Sequence, residues 1–197
     1  EAGGTGEFDG KPIALNSPRK CLDSQLAFVS EDRRGVGLLL DESLEWNVAF
    51  PAMQIHDKFL KKHLFFTWRD EKAIHQVTQK YIDELQIKCT SSLQKARELS
   101  GGNQQKVIIA RELESGPSVL VMAHPTRGLD IGATSFVHDQ MIAARARGVG
   151  ILLISADFDE ILEMSDRIVV CFEGRIMGEF SGSKPPINEI SLAMTGK

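Results

Sequence analysis

Residues 99–106 read Leu-Ser-Gly-Gly-Asn-Gln-Gln-Lys and lead into a predicted helix over residues 104–115. The paired glycines let a ligand approach the backbone closely, because they carry no Cβ. The first turn of a helix leaves backbone N–H groups unpartnered, and the helix dipole places partial positive charge there. Ser100 adds a hydroxyl that can cap the helix or bind an anion. The segment predicts a phosphate-binding helix terminus, while Ser-Gly-Gly taken alone fits a capped flexible loop equally well.

Downstream of this helix, strand and helix patterns alternate. Residues 119–123 form a continuous apolar run, which is typical of a strand covered on both faces. A helix over 133–147, a second buried strand over 151–154 and a short helix over 157–164 follow. A third strand is predicted over 168–172, turning at residues 173–174. Strands separated by helices predict an α/β fold with a partial parallel sheet.

Upstream, the pattern is different. Residues 5–13 predict an antiparallel β hairpin with Asp9-Gly10 at its turn, and residues 26–29 predict a strand before a charged loop. A helix over 43–50 is expected to end at Pro51. Residues 52–98 have helical spacing and predict an inserted helical subdomain, whose histidines (His56, His63 and His75) lack zinc-site spacing and are expected to be exposed. We therefore divide the chain into residues 1–50, 51–98 and 99–197.

Composition excludes several classes of function. The 197 residues carry a net charge of −4 and no long basic run, which argues against a general nucleic-acid binder. The three cysteines are scattered without metal-site spacing and are expected to be reduced thiols. No apolar run approaches the roughly 20 residues that span a bilayer, so membrane association is expected to go through a partner.

Residues 99–106 resemble the signature motif of ATP-binding cassette (ABC) ATPases, in the form found in sugar and nucleoside importers. Residues 125–130, Pro-Thr-Arg-Gly-Leu-Asp, resemble the segment leading into the D-loop of that family. Residues 30–33, Ser-Glu-Asp-Arg, resemble the region that occupies the Q-loop in the second cassette of sugar-type importers. The resemblance covers nearly the whole chain, which looks like the second of two cassettes in one polypeptide and implies an ABC ATPase-type fold.

The resemblance also implies roles for individual residues. The signature residues would bind the γ-phosphate of an ATP held mainly by the opposing cassette: Ser100, Gly101, Gly102, Asn103 and Gln104. Asp130 would mediate communication across the cassette dimer, and Glu31, together with the subdomain of residues 52–98, would face the transmembrane permease. The competing interpretation of residues 31–34 is a solvated charged loop whose members pair with one another.

Several groups that this family uses for hydrolysis are missing from the sequence. No P-loop of the form Gly-x-x-x-x-Gly-Lys-Ser/Thr occurs, and we expect the chain to begin after it. Ala123 stands at the Walker B aspartate, His124 at the adjacent glutamate and Ala156 at the switch histidine. We expect His124 to be a hydrogen-bonded residue at a strand end rather than a base. The chain by itself is therefore expected to bind no Mg²⁺ and to be catalytically inactive.

The expected partners are the first ATP-binding cassette and the permease subunits, at the cytoplasmic face of the membrane, without nucleic acid. The main alternative is a non-catalytic docking module on a permease, for which nucleotide is irrelevant. A third candidate, an ABC ATPase of the DNA-repair or chromosome type, is disfavoured by the acidic balance, the lack of a heptad insertion and the Asn-Gln-Gln-Lys form of the motif.

Overall fold

The computed structural model describes residues 5–8, 10–13, 17–64, 66–181 and 186–196. The chain divides into two compact units, residues 1–154 and 155–197, each with its own packing. The elements of the first unit are β1 (Gly6–Phe8), β2 (Lys11–Ile13), α1 (Pro18–Asp23), β3 (Leu26–Val29), a π-helical turn (Arg33–Gly37), α2 (Leu44–His56), β4 (Leu60–His63), β5 (Phe66–Arg69), α3 (Glu71–Glu84), a 3-10 turn (Ala96–Glu98), α4 (Gly101–Glu114), β6 (Val119–Ala123), α5 (Ile131–Ala146) and β7 (Gly150–Ile154). Those of the second are α6 (Phe158–Met164), β8 (Arg167–Phe172), β9 (Arg175–Ser181) and α7 (Ile187–Met194).

A three-stranded parallel sheet of order β3-β6-β7 lies at the centre of the first unit and confirms the α/β prediction. One face of this sheet is buried, with Leu120 and Met122 almost inaccessible to solvent. The opposite face carries the row Phe28, Val121 and Leu152, in which Phe28 is 49% and Leu152 55% exposed. The expectation that the strands over 119–123 and 151–154 are covered on both faces is therefore wrong within this unit. An apolar run indicates a strand but cannot say how many layers cover it.

Helix α2 packs against α4, and both helices carry buried apolar residues, including Val48, Val107 and Ile108. Helix α3 packs on α2 through a smaller cluster that includes Met53 and Ile74. The prediction that α2 ends at Pro51 is wrong, because the helix continues to His56. Proline removes one backbone donor, but burial of the flanking residues of α2 outweighs that loss.

The region predicted as a helical subdomain contains α3, but it also contains the antiparallel hairpin β4–β5. The domain boundary predicted at residue 50 falls inside α2. His56, His63 and His75 are exposed, as predicted; His56 Nε2 lies 2.9 Å from the Ser115 carbonyl oxygen, and His75 Nδ1 lies 2.7 Å from Glu45 Oε1. The N-terminal hairpin is confirmed by the pairing of β1 with β2, while Asp9 lies outside the described residues.

In the second unit, β8 pairs with β9 in an antiparallel two-stranded sheet. The predicted turn at Glu173-Gly174 is confirmed, and both residues have positive φ, 45° and 76°. The strand predicted over 168–172 is confirmed within β8, and it pairs with β9, the segment that follows the turn, so it does not join the parallel sheet of the first unit. Helices α6 and α7 pack on β8 through a cluster that includes Ile168, Val170 and Ile190. Among the described residues, no helix is both long and apolar enough to cross a membrane.

Candidate functional site

The N-terminus of α4 is built by Ser100 and Asn103. Ser100 is the N-cap, and its hydroxyl accepts a hydrogen bond from the Asn103 amide side chain at 2.9 Å and a longer one from the Asn103 backbone N–H at 3.5 Å. The side-chain oxygen of Asn103 accepts from the Lys88 backbone N–H at 2.8 Å. Asn103 therefore ties the first turn of α4 to the preceding loop, and Ser100 stays exposed at the helix terminus.

Gln104 takes a different orientation from the other signature residues. Its side chain is 1% exposed, and its Nε2 donates to the Ala96 carbonyl oxygen at 3.2 Å. Its backbone N–H already donates to the Ser100 carbonyl oxygen at 2.8 Å. The expectation that Gln104 touches a ligand is therefore corrected, because in this structure it holds α4 against the 3-10 turn that precedes it.

The N-terminus of α5 lies beside that of α4. A Cβ on Gly102 would lie 3.1 Å from the Cβ of Ala133, so glycine permits this close approach. Asp130 is the exposed N-cap of α5 and accepts from the Ala133 backbone N–H at 2.9 Å. Lys106 crosses between the helices, with its ammonium 4.4 Å from the centre of the Phe136 ring. The signature segment and Asp130, predicted separately, are thus brought together.

Lys106 also shapes the electrostatics of this corner. Burial and the neighbouring Lys88 lower the pKa of the Lys106 ammonium, and Asp130 opposes that shift. The ammonium donates to the Gln86 carbonyl oxygen at 3.0 Å, which fixes its position. Two helix N-termini, whose dipoles place partial positive charge there, lie side by side with the Lys106 cation near them, and this arrangement favours an anion.

The charged loop after β3 contacts the segment that leads into α5. Glu31 pairs with Arg127 across the two loops, with Oε2 and Nη1 2.7 Å apart. Arg33 donates from Nη1 to the Arg127 carbonyl oxygen at 3.0 Å. The interpretation in which residues 31–34 pair only with one another is therefore wrong for Glu31 and Arg33, while Asp32 does bond locally to the Gly35 N–H at 2.8 Å.

Arg33 also lies close to the α4 terminus. Its Nη2 would be 4.0 Å from a Cβ on Gly101 and 3.7 Å from one on Gly128. Burial, followed by the charge of Arg34, lowers the pKa of the Arg33 guanidinium. Arg33 and Arg127 were not singled out from the sequence, since an isolated arginine in a loop is usually an exposed charge. Their importance becomes visible only in the folded chain, where two loops 94 residues apart in sequence come into contact.

The strand-end positions are arranged as follows. Ala123 ends β6 and pairs with Ile154 of β7. His124 follows with φ 45°, a left-handed conformation uncommon for a residue with a Cβ, and its N–H donates to the Ile154 carbonyl oxygen at 2.8 Å. Ala156 is an exposed residue of the second unit. In the described part of the chain, no three His, Cys, Asp or Glu side chains are grouped so that they could hold a metal ion.

An apolar groove of about 310 Å³ opens next to the charged loop. The loop contributes Val36 and Leu38, and α2 contributes Phe50 and Ile55. Asn47, fully buried in α2, shapes this wall: its Oδ1 accepts from the Leu39 N–H at 2.8 Å, and its Nδ2 donates to the Leu39 carbonyl at 3.0 Å. Sequence periodicity did not reveal the groove, because its residues come from segments that meet only in the folded chain.

Comparison with solved structures assigns the architecture. The ATP-binding cassette MJ1267 of an ABC transporter, in its ADP conformation, matches with a TM-score of 0.68 and 22% identity over 95% of this chain and 71% of that one. A dimeric post-hydrolysis structure of the cassette MJ0796, bound to ADP and Pi, matches with a TM-score of 0.71 and 17% identity over 88% of this chain and 71% of that one. The chain has the α/β fold of an ATP-binding cassette.

Its curated relatives are import proteins. The ribose import ATP-binding protein RbsA of Bacillus subtilis is 40% identical over 98% of this chain, and the guanosine import ATP-binding protein NupO of the same organism is 36% identical over 98%. The xylose import ATP-binding protein XylG of Thermoanaerobacter pseudethanolicus is 38% identical over 96%. The chain spans only 36–38% of the length of these relatives. No protein-family model matches the chain.

Proposed function

We propose that this chain is the signature-bearing part of the second ATP-binding cassette of an importer for simple sugars or nucleosides. In this proposal it completes an ATP site held mainly by the first cassette. The observation that carries it is the exposed N-terminus of α4, with Ser100 as cap and the N-terminus of α5 beside it. The names of the relatives, which import ribose, xylose and guanosine, support the substrate class.

The residues at this terminus suit a γ-phosphate. The N–H groups of Gly101 and Gly102 lie in the first turn of α4, where they lack helical partners, and the Ser100 hydroxyl can donate outward while it accepts from Asn103. Asn103 acts in this proposal by orienting Ser100 through the 2.9 Å bond. Asp130, exposed at the neighbouring terminus, is the group proposed to communicate with the opposing cassette.

The chemistry of hydrolysis is assigned to the partner. Hydrolysis in this class needs a carboxylate to hold Mg²⁺ and another group to orient water, but Ala123 offers only a methyl group. His124 bonds through its backbone N–H to β7, and its left-handed conformation belongs to the turn after β6. We therefore expect the chain by itself to show no ATP turnover, with Mg²⁺ held by groups of the other cassette.

The permease is proposed to dock on the apolar groove beside residues 33–39. Glu31 is already paired with Arg127, so its proposed role is to relay movement of this loop to the segment before α5. The groove is also the specific observation that favours the alternative, a docking module that needs no nucleotide. Both proposals place the chain at the cytoplasmic face of the membrane, and they differ in what a change at Ser100 does.

The test introduces Ser100→Arg in cells that carry the complete importer and measures substrate uptake. The long cation would fill the space in front of the α4 terminus, so we expect uptake to be lost while the protein stays in the membrane fraction. Ser91→Arg, at another exposed serine of the same unit, is the matched control and should transport normally. Normal uptake by the Ser100→Arg importer would refute the proposal and favour the docking module.

A further inference from the structure

The hairpin β4–β5 has one face toward the protein and one toward solvent. Register places Leu60 opposite Arg69 on the inner face, where Leu60 packs on the Met53–Ile74 cluster and Arg69 lies 5.0 Å above the Trp46 ring. The outer face pairs Lys61 with Trp68 and His63 with Phe66. Phe66 is 75% exposed and Trp68 49%, and Leu64 at the turn is 86% exposed. Clustered apolar exposure of this extent marks an interaction surface.

The same hairpin is basic in an acidic chain. Between Asp57 and Asp70 the sequence holds Lys58, Lys61, Lys62 and Arg69 but no carboxylate, whereas the whole chain has a net charge of −4. Lys61 pairs with Asp70 at 2.9 Å and Lys62 with Asp57 at 2.5 Å.

A third pair joins Arg69 to Glu71 at 3.0 Å. The basic side chains of these three pairs are at least half exposed, and exposed pairs of this kind are weak. The cations of the hairpin can therefore turn to another anion at little cost.

We propose that the outer face of the hairpin β4–β5, together with Leu64, binds the surface of an anionic lipid bilayer. Aromatic rings on the same face as lysine and histidine match the chemistry of the bilayer interface, where rings lie at headgroup depth and cations meet lipid phosphates. The attraction of basic segments to anionic lipid adds to the apolar burial at the turn. This proposal does not depend on the ATP-site assignment, since it uses no residue of that site.

Tryptophan fluorescence can report binding by the hairpin, because the sequence contains two tryptophans, Trp46 and Trp68. In a Trp46→Phe background, Trp68 alone reports its environment. We expect a blue shift of its emission, and flotation of the protein, with vesicles of equal parts phosphatidylglycerol and phosphatidylcholine. Vesicles of phosphatidylcholine alone should bind at least about tenfold more weakly, and high salt should weaken the anionic binding.

Two sets of variants separate the contributions. Leu64→Ser with Phe66→Ser removes two of the exposed apolar side chains, and Lys61→Gln with Lys62→Gln removes two of the cations; each pair should lower vesicle partitioning at least about tenfold. Leu93→Ser, at an apolar residue 67% exposed outside the hairpin, is the matched control and should bind normally. Circular dichroism of every variant checks that the fold is retained.

Four results would overturn the proposal. The first two are failure to bind either vesicle and equal binding to both. The third is a loss of binding in Leu93→Ser as large as in the hairpin variants. The last is a Trp68 blue shift that grows with protein concentration without lipid, which would assign the hairpin to contacts between copies of the chain.

Discussion

Replacing Arg111 with alanine is expected to destabilise the first unit by about 3–5 kcal/mol at neutral pH, because it breaks a buried ion pair. Arg111 Nε and Nη2 lie 2.7 and 2.6 Å from Glu112 Oε1, and the two side chains are only 15% and 7% exposed. Arg111 also donates to the Gly37 carbonyl oxygen, which anchors the π-helical turn to α4. Its removal leaves the Glu112 carboxylate buried without its cation, and the cost of desolvation then dominates.

The loss should depend on pH in a defined direction. Burial raises the pKa of Glu112 above its ordinary value, and Arg111 opposes part of that shift. For a raised carboxyl pKa, the stabilising contribution of the protonated form is complete below the unfolded-state pKa and is lost as pH rises through the folded-state pKa. Without Arg111 the pKa of Glu112 rises further. The difference in the free energy of unfolding between variant and wild type should therefore be largest at neutral and alkaline pH and should decrease on acidification.

Urea unfolding, followed by circular dichroism at a series of pH values, measures this difference directly. The double variant Arg111→Ala with Glu112→Gln is the control, and it should recover more than half of the lost stability because no buried charge remains. A loss below about 1 kcal/mol, or one that stays constant from acidic to neutral pH, would refute the reasoning.

Three further outcomes are expected from unfolding measurements on single variants. Asp130→Ala should lower the free energy of unfolding by about 1 kcal/mol, because it removes the α5 cap. Asp130→Asn keeps the cap and should lower it by only a few tenths of that unit, so equal losses would contradict the capping role. Asn47→Ala should lower the free energy of unfolding by about 3 kcal/mol, because it leaves the backbone N–H and C=O of Leu39 without their hydrogen-bond partner. A loss near zero would contradict that bonding. Leu120→Ala should cost about 2–5 kcal/mol, whereas Leu152→Ala, on the uncovered face, should cost less than about 1; similar losses would contradict a one-sided sheet.

Local signals led to correct element assignments where backbone chemistry dominates. Strand β6 has the predicted bounds and Ser100 caps α4 as predicted, because caps and apolar runs act over a few residues; the helix itself begins at Gly101, three residues before its predicted start. The same local rules ended α2 too early at Pro51 and placed no hairpin within 52–98. Packing of α2 against α4, which lies about fifty residues away in sequence, outweighed the proline signal.

The features of the candidate site likewise include some that local sequence predicts and others that only the folded chain reveals. The cap at Ser100 was accessible to sequence reasoning, because it depends only on the helix that follows it, whereas the capping role of Asp130 emerged from the structure. The inward turn of Gln104 was not accessible to sequence reasoning, since a glutamine in a first helical turn has no local reason to face the core. The salt bridge between Glu31 and Arg127 joins loops that only the parallel sheet brings together.

The amino-acid sequence by itself determined the α/β alternation, the capped glycine-rich start of α4 and the lack of carboxylates at residues 123 and 124. The tertiary structure alone decided that the termini of α4 and α5 lie side by side and that, within the first unit, the sheet is covered on one face. The physical reason is the separation along the chain over which each interaction acts. Dihedral preference, capping and periodicity act between neighbours in the chain, whereas burial and charge pairing act between whichever residues the fold places in contact.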